Sequence, residues 1–364
     1  MDQDLRAHDA FRRTTAFSSL DGLRCLSILA VCWHHAGSRG GVWRGYDLGF
    51  LGVDLFFVIS GFLIVTLLLR EHDATRTISL RKFYIRRTLR IFPLYYAVIV
   101  ALAVLYALTH SQFGTRYLRE LPYYLTYTAD FHPVVFGIVW SLSAEEQFYL
   151  IWPSVEKYFG RFCYAALGIL IGLNQLSNFT TGRILIADML GAPGFPELSI
   201  AQVTFTPILL GVTVAHMLHT SHGFGALRIV AGRRWHSSLW LLTLAGLLTC
   251  APEDISGLPR LAMQLSMTLL LASCVYREDH ALRPIFAFSL VQRIGKVSYG
   301  LYLFHVLVIA ALRHFLQFPA DGSMALYFAT LILTLCIAEL SFRFFETPLL
   351  TLKRRYSVVH QDHV

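Results

Sequence analysis

The chain has 364 residues, of which 55% are hydrophobic and only 15% are charged, and its mean hydropathy is +0.54. Soluble domains carry about 25% charged residues, so this composition excludes a disordered chain, a disulfide scaffold and an ordinary cytosolic enzyme. It predicts an all-α, polytopic integral membrane protein in contact with membrane lipid. The net charge of +8 does not indicate a nucleic-acid partner, because excess lysine and arginine in a membrane protein normally lies in cytoplasmic loops.

The cysteine positions and the polar N-terminal segment add two further expectations. The six cysteines lie inside or at the ends of apolar stretches without close paired spacing, which is typical of small buried hydrophobic residues. The cysteines therefore give no redox or metal signal, and we expect no bound metal and no bound cofactor. The first 18 residues are polar and contain Arg6, Arg12 and Arg13, which predicts a cytoplasmic N-terminus followed by a signal-anchor helix rather than a cleaved signal peptide.

Eleven apolar segments are candidates for membrane-spanning helices, each of which needs about 20 mostly apolar residues. They lie near residues 19–37, 47–69, 91–109, 117–139, 142–158, 162–177, 199–218, 237–250, 260–276, 297–316 and 323–346. The segment at 117–139 is the weakest because it contains Arg119, Glu120 and Asp130. We expect it to be a re-entrant or interfacial segment on the outer side.

The distribution of positive charge then predicts about ten transmembrane helices with both termini cytoplasmic. In this arrangement the inner loops and tails hold 22 lysines and arginines, and the outer loops hold 5. Such a bias is the usual determinant of orientation. The predicted organisation is a cytoplasmic tail at 1–18, a transmembrane domain at 19–346 and a cytoplasmic tail at 347–364, in a multi-pass protein of the inner or plasma membrane.

Ionisable side chains inside a membrane are costly, so each one needs a reason. In the first span, Arg24 and His35 are eleven residues apart. They therefore lie on the same face of the helix, and about 16 Å along the helix axis separates them. Asp21 precedes Arg24 by one turn. Asp21, Arg24 and His35 thus form one stripe of charge along the helix. This stripe fits either a functional site or a structural ion pair with an interfacial histidine.

The second and third spans carry further polar groups at helical spacing. Asp54 is a second intramembrane carboxylate, and Ser60 with the following glycine favours close helix packing. Arg86, Arg87 and Arg90 lie at i,i+3 and i,i+4 spacing at the inner end of the third span. Arginine forks bind phosphates in two-point contacts, but anchoring to anionic lipid is an equally good interpretation.

Later spans add a carboxylate and a histidine. Glu145 and Tyr149 share a face at i,i+4 spacing, and we expect Glu145 at about the depth of His35, where a carboxylate would orient an imidazole. Ser141 suits a helix N-cap. His305 is a lone membrane histidine that a neighbouring hydroxyl could satisfy. In the last span Arg343 is placed to pair with Glu339 or Glu346.

Five of these stretches together resemble the integral-membrane acyltransferase-3 family, over roughly residues 18–350. Departures are small, since Cys25 stands where glycine is common and Ala144 where valine is common. The matching motifs, in chain order, are LDGLR at 20–24 with His35 after it, GVDLFFVISGF at 52–62, FYIRRTLRIFP at 83–93, WSLSAEEQFY at 140–149 and SYGLYLFH at 298–305.

The resemblance implies transfer of an acyl group, commonly acetyl, from cytoplasmic acyl-CoA as co-substrate to a hydroxyl of a carbohydrate or glycolipid. Catalytic roles would fall to His35, Glu145 and Asp21. Donor binding would fall to Arg24, Arg86, Arg87 and Arg90, and supporting roles to Asp54, Ser60, Tyr149 and His305. Some family members carry a fused esterase-like domain. With about 18 residues after the last predicted span, we expect this chain to be of the stand-alone form.

Three other functions fit the sequence less well. A proton-coupled transporter or exporter could use Arg24, His35 and Glu145 as a proton relay. An acyltransferase acting on a cytosolic small molecule, such as an antibiotic sugar, would keep the donor site and move the acceptor entrance. A purely structural membrane protein would not need so many intramembrane charges. The arginine cluster suits an anionic donor and therefore favours acyl transfer.

Overall fold

The computed structural model describes residues 2–14, 17–37, 45, 47–192, 205–318 and 322–353, and all regular structure in these ranges is helical. The all-α prediction is therefore confirmed for this part of the chain. Its helices are α1 Asp2–Arg13, α2 Ser19–Ala36, α3 Gly52–Thr75, α4 Leu80–Thr109, α5 Gln112–Leu125, α6 Val139–Phe159, α7 Cys163–Asn178, α8 Thr180–Leu190, α9 Thr206–His219, α10 Ser221–Ala231, α11 His236–Thr249, α12 Leu258–Tyr276, α13 Arg283–Phe286, α14 Ser289–Lys296, α15 Ser298–Leu316, α16 Met324–Ser341 and, after a π-helical stretch at Phe342–Glu346, α17 Thr347–Lys353.

Within the described ranges, five helical segments are long and apolar enough to cross a membrane, which fits a membrane protein. Each of the ten segments predicted to span contains a helix, and two of these helices, α9 and α11, are apolar but shorter. The number of spans and the orientation of the termini remain predictions. Residues 199–204 of the sixth predicted span and 354–364 of the C-terminal tail lie outside the described residues. The five long segments are Gly49–Thr75, Leu80–Thr109, Leu258–Tyr276, Ser298–Leu316 and Met324–Leu352.

The weakest predicted segment, 117–139, is not one continuous helix. Helix α5 ends at Leu125, a 3-10 turn follows at Ala129–Phe131, and α6 begins at Val139. This break agrees with the expectation that the segment does not form a spanning helix of its own. The carboxylate of Glu120 accepts hydrogen bonds from Arg116, Tyr124 and the backbone N–H of Val135.

The helices form two compact units. Among the described residues, the first contains those up to Arg76 and Pro207–Arg343, and the second contains those from Thr77 to Thr206 and from Phe344 to Lys353. In the first unit α2 packs against α3, α14, α15 and α16. In the second unit α4 packs against α5 and α17, and α6 contacts the turn at Ala129–Phe131.

Glycines allow the backbones of the first unit to approach closely. A Cβ at Gly61 of α3 would lie 2.0 Å from the carbonyl oxygen of Ile208 in α9. A Cβ at Gly295 of α14 would lie 1.9 Å from the carbonyl oxygen of Asp21 in α2. The close-packing interpretation of the Ser60-Gly61 pair therefore agrees with the structure at Gly61, while Ser60 beside it is half-buried.

The N-terminal segment is more ordered than a polar tail suggests. Phe11 of α1 is buried against Phe17 and against Phe224 of α10. Arg12 pairs with Asp73 at the end of α3. An amphipathic helix therefore covers one end of the first unit, although its charge alone indicated only a cytoplasmic tail.

The cysteine prediction is correct in one respect and wrong in another. All six are free thiols within the described residues, so the structure contains no disulfide there. Four are buried as expected, but Cys250 and Cys336 are exposed. Cys250 directly follows the last residue of α11, and Cys336 lies on an outward face of α16, so apolar surroundings in sequence do not place these two in a core.

Candidate active site

In the first unit, helix α2 displays the predicted stripe of charge. Arg24 Nη1 donates to Asp21 Oδ1 at 2.7 Å, and both side chains are largely shielded. Two contacts hold the first turn of α2. Gly295 of α14 lies against the backbone of Asp21, and Phe286 lies against Gly22. The guanidinium is thus oriented by its neighbouring carboxylate on a rigid helix.

His35, near the other end of α2, lies against a second histidine from α15. The ring centroids of His35 and His305 are 5.1 Å apart and their planes are tilted by 57°. His35 is exposed, whereas His305 is fully buried. The two residues are 270 positions apart in sequence, so the contact is a product of the helix packing around α2.

The hydrogen bonding of His305 fixes its tautomer. Its Nδ1 lies 2.6 Å from the carbonyl oxygen of Tyr302, which only accepts, so Nδ1 carries the hydrogen. In a neutral imidazole Nε2 is then an acceptor. Nε2 has no hydrogen-bond partner among the residues that the structure describes. The neighbouring-hydroxyl interpretation of His305 is therefore wrong, and a buried acceptor remains beside His35.

Asp54 serves a different role from the histidine pair. Arg260 of α12 contacts both of its carboxylate oxygens at 3.2 Å, and Gln264 donates to Oδ2 at 2.8 Å. The carboxylate is 2% exposed and is fully occupied by these partners. We therefore assign Asp54 to the packing of α3 against α12. Arg260 is a residue whose role the sequence did not reveal, because its partner lies 206 positions away.

In the second unit, Arg87 of α4 stacks on Tyr149 of α6. Its guanidinium carbon lies 4.8 Å from the Tyr149 ring centroid and 5.9 Å from that of Phe83. Tyr149 Oη donates to Glu145 across the predicted i,i+4 spacing. Arg86 and Arg90 are half-buried on the same helix. The structure therefore brings Arg87, one of the arginines predicted to bind the acyl donor, to the Glu145–Tyr149 pair.

Two neighbours of Glu145 play roles that sequence analysis did not assign. Glu146 has a buried carboxylate oxygen, Oε1, without a partner among the described residues, and it interacts electrostatically with Arg87 and Glu145. Gln147 donates to Asp130 and to the Tyr127 carbonyl, which fixes the turn beside α6. Burial raises the pKa of Asp130 to about 6, and the hydrogen bond from Gln147 opposes that rise.

One local prediction is wrong. Ser141 is not a helix N-cap, because α6 begins two residues earlier at Val139 and the Ser141 hydroxyl donates to the Ile138 carbonyl. Glu339 also has a partner that the sequence did not suggest, since Arg293 of α14 donates to it. Both differences come from helix ends and neighbours that sequence spacing does not specify.

The predicted site residues fall into two groups. The first unit holds the Asp21–Arg24 pair and the His35–His305 pair, with Asp54 and Ser60 in α3. The second unit holds the arginines of α4 with Glu145 and Tyr149. The expected orientation of His35 by Glu145 joins residues of different units and remains a prediction.

Comparison with known proteins places this geometry in a family. The sequence profile described as an acyltransferase domain, acyltransferase-3, matches residues 17–341. That range includes every residue of both groups. No solved structure matches the chain significantly.

Curated relatives match over nearly the whole chain. The peptidoglycan O-acetyltransferase OatA of Listeria monocytogenes is 30% identical over 93% of this chain and 57% of its own length. A putative O-acetyltransferase of Staphylococcus aureus strain COL is 28% identical, over 93% of this chain and 58% of its own. The putative peptidoglycan O-acetyltransferase YrhL of Bacillus subtilis is 28% identical, over 91% and 54%. The chain thus spans somewhat more than half the length of these relatives, and it belongs to the acyltransferase-3 family of acyltransferase enzymes.

Proposed function

We propose that this protein is a membrane O-acyltransferase that moves an acyl group, in the simplest case acetyl, from acyl-CoA to a carbohydrate hydroxyl. The family assignment and the O-acetyltransferase names of the relatives support the reaction class. A thioester is already activated toward attack by a hydroxyl, so the reaction needs correct positioning and a base.

The donor is proposed to bind through arginine. Acyl-CoA carries phosphates, and guanidinium groups bind phosphate in two-point hydrogen bonds. Arg87, whose guanidinium carbon lies 4.8 Å from the Tyr149 ring centroid, provides such donors, with Arg86 and Arg90 on the same helix. Arg24, oriented by Asp21, is a further cation for the donor.

His35 is proposed as the general base. It takes the proton from the acceptor hydroxyl as the oxygen attacks the thioester carbonyl, and it returns that proton to the departing CoA thiolate as the carbon–sulfur bond breaks. During this step the imidazole becomes positively charged. The Nε2 lone pair of His305 would stabilise the imidazolium by accepting an N–H from it.

The acceptor is proposed to be a hydroxyl of a cell-surface carbohydrate, such as peptidoglycan, another polysaccharide or a glycolipid such as lipopolysaccharide. The names of two relatives specify peptidoglycan, and this supports a polymer of amino sugars as the first acceptor to test. We propose the inner or plasma membrane as the location. Transfer to a cytosolic small molecule would use the same donor residues with another acceptor.

One observation carries the proposal: the exposed His35 lies against the buried His305, whose Nε2 is an acceptor without a partner among the described residues. The test uses purified protein in detergent with radiolabelled acetyl-CoA and an oligosaccharide, and follows CoA release and label transfer. His35→Ala and Arg87→Ala should each lose transfer while remaining folded. His314→Ala is the matched control, because His314 is an exposed histidine of α15. Full activity of His35→Ala would refute the proposal. Uptake of substrate by the same protein in liposomes, without a covalent product, would favour a transporter.

A further inference from the structure

In the second unit, the Arg87 guanidinium and the Glu146 carboxylate oxygen Oε1 have no hydrogen-bond partner among the described residues. Arg87 is stacked on Tyr149 and Phe83 and makes no hydrogen bond or ion pair with any residue that the structure describes. Glu146 Oε1 is buried and likewise has no partner there. Burying an unsatisfied carboxylate oxygen is expensive, so a group that supplies the missing hydrogen is expected at this position.

The surroundings of Glu146 do not supply that group. Glu146 is within electrostatic range of Tyr95 and Tyr96, but the Tyr95 hydroxyl donates to the Tyr124 carbonyl and the Tyr96 hydroxyl donates to the Leu125 carbonyl. The Tyr149 hydroxyl is used by Glu145. The nearby hydroxyl donors are therefore committed elsewhere.

Arg87 and Glu146 interact electrostatically, yet they do not form a direct ion pair. A ligand that fits between a guanidinium and a carboxylate oxygen offers an acceptor to the first and an N–H or O–H to the second. A secondary amide has both groups on one planar unit. A phosphate between the two side chains would satisfy Arg87 but would place negative charge beside Glu146. A guanidinium has five N–H donors, so Arg87 can bind an amide carbonyl on the edge that faces Glu146 and a donor phosphate on another edge.

We propose that Arg87 and Glu146 form a subsite for a secondary amide, with the amide carbonyl accepting from Arg87 and the amide N–H donating to Glu146. This inference rests on the proposed function, because both substrates of that reaction can carry such a group. The pantetheine arm of acyl-CoA contains two secondary amides, and amino-sugar acceptors carry N-acetyl amides. Since Arg87 belongs to the donor arginines, the pantetheine arm is the expected occupant.

The test is a factorial experiment on the full-length protein in detergent. The variants are Glu146→Leu, which removes the acceptor, and Glu146→Gln, which keeps an acceptor oxygen without the charge. Glu253→Gln, at an exposed position, is the control. Donors are S-acetylpantetheine and the amide-free methyl thioacetate, and acceptors are chitotriose, with N-acetyl groups, and cellotriose, without them. Thiol release gives kcat/KM for each pair.

With cellotriose as acceptor, Glu146→Leu should lower kcat/KM for S-acetylpantetheine about tenfold. The same variant should leave kcat/KM for methyl thioacetate unchanged. Glu146→Gln should lower kcat/KM for S-acetylpantetheine by a smaller factor. If Glu146→Leu lowers kcat/KM only when chitotriose is the acceptor, with either donor, the amide subsite is also supported. The amide that it binds then belongs to the acceptor. An equal loss in all four pairs, or no loss in any, overturns the inference.

Failure of the proposed function gives a separate result. If wild-type protein releases no thiol from either donor or from acetyl-CoA, the acyltransferase proposal for this chain fails. The subsite is then tested by equilibrium binding of S-acetylpantetheine, which Glu146→Leu should weaken about tenfold. Unchanged binding overturns the subsite as well.

Discussion

The imidazole rings of His35 and His305 lie 5.1 Å apart between centroids, with one ring exposed and the other fully buried. The His305 ring donates from Nδ1 to the Tyr302 carbonyl oxygen. Its other nitrogen, Nε2, therefore carries a lone pair that can accept a hydrogen bond. Two helices that are distant in sequence thereby bring two imidazole rings into contact. This pair is the structural basis of the proposed proton transfer.

Replacing the buried histidine should slow the reaction without removing the base. We expect His305→Ala to lower kcat about 100-fold, within the usual range for one acid–base partner, while KM for acetyl-CoA changes little. The control is His314→Ala on the same helix, which should behave as wild type. The kcat and KM values measured on folded protein check this. An unchanged kcat, or a change confined to KM, would contradict the role of His305.

The ring of Tyr149 should matter more than its hydroxyl for donor binding. Tyr149→Leu removes the surface on which Arg87 stacks, and we expect KM for acetyl-CoA to rise about tenfold, which corresponds to the ~1.4 kcal/mol typical of cation–π contacts. Tyr149→Phe keeps that surface and should raise KM less. Equal defects in the two variants would show that the hydrogen bond to Glu145 is the important contact.

Breaking the buried Asp54 cluster should reduce stability. Asp54→Asn removes the negative charge that the Arg260 guanidinium contacts, and removing one member of a buried ion pair costs about 3 kcal/mol. Thermal unfolding in detergent measures the loss. The double variant Asp54→Leu, Arg260→Met removes both charges and should be more stable than Asp54→Asn. If Asp54→Asn unfolds as wild type does, the cluster is not a packing element.

Close packing of α3 on α9 should not tolerate a methyl group at Gly61. Its Cβ would lie 2.0 Å from the Ile208 carbonyl oxygen, a backbone atom that cannot move aside cheaply. We expect Gly61→Ala to lower the thermal midpoint strongly. Gly168→Ala in α7 is the matched control, because no atom lies within 4 Å of its Cβ position, and it should be neutral or stabilising by up to about 1 kcal/mol. Similar midpoints for the two variants would refute the packing argument.

Acid should destabilise the fold through His280, which lies in the segment between α12 and α13. Burial, then the charge of Arg283, lowers the pKa of His280 to about 4, while Asp279 opposes the shift. Because the folded state binds the proton more weakly than the unfolded state, stability falls as pH drops through about 6.5 and continues to fall to about 4. The Ser19 hydroxyl lies 2.6 Å from Nε2.

The check is the thermal midpoint as a function of pH for wild type and His280→Gln. Between pH 6.5 and 4 the wild-type midpoint should fall more steeply than that of the variant, and the difference should flatten above pH 7. Parallel curves would show that His280 does not contribute to acid sensitivity.

Much of the helical layout was predictable from sequence because hydropathy is a local property. The first span was expected at 19–37 and the helix covers Ser19–Ala36. The motif residues also identified the correct helices for His35, Arg87 and Glu145. Helix α1 was missed because its burial depends on Phe224, which is far away in the chain.

The contacts that define the site could not be predicted in the same way. The partner of Asp54 is 206 residues away, and only the packing of α15 on α2 brings His305 to His35. Glu146 follows Glu145 directly, and nothing in local spacing shows that Glu145 accepts from Tyr149 while Glu146 Oε1 has no partner in the part of the chain that the structure describes. Sequence identifies the residue types, while three-dimensional packing decides which of them keep a free donor or acceptor.

The most direct test of the central claim is identification of the product. Purified protein would be incubated with acetyl-CoA labelled in the acetyl group and with chitotriose, and the sugar would be analysed for alkali-labile label, which marks an O-acetyl ester. We predict labelled sugar with wild-type protein and with His314→Ala, and none with His35→Ala. Labelled sugar at the wild-type level with His35→Ala would contradict the account.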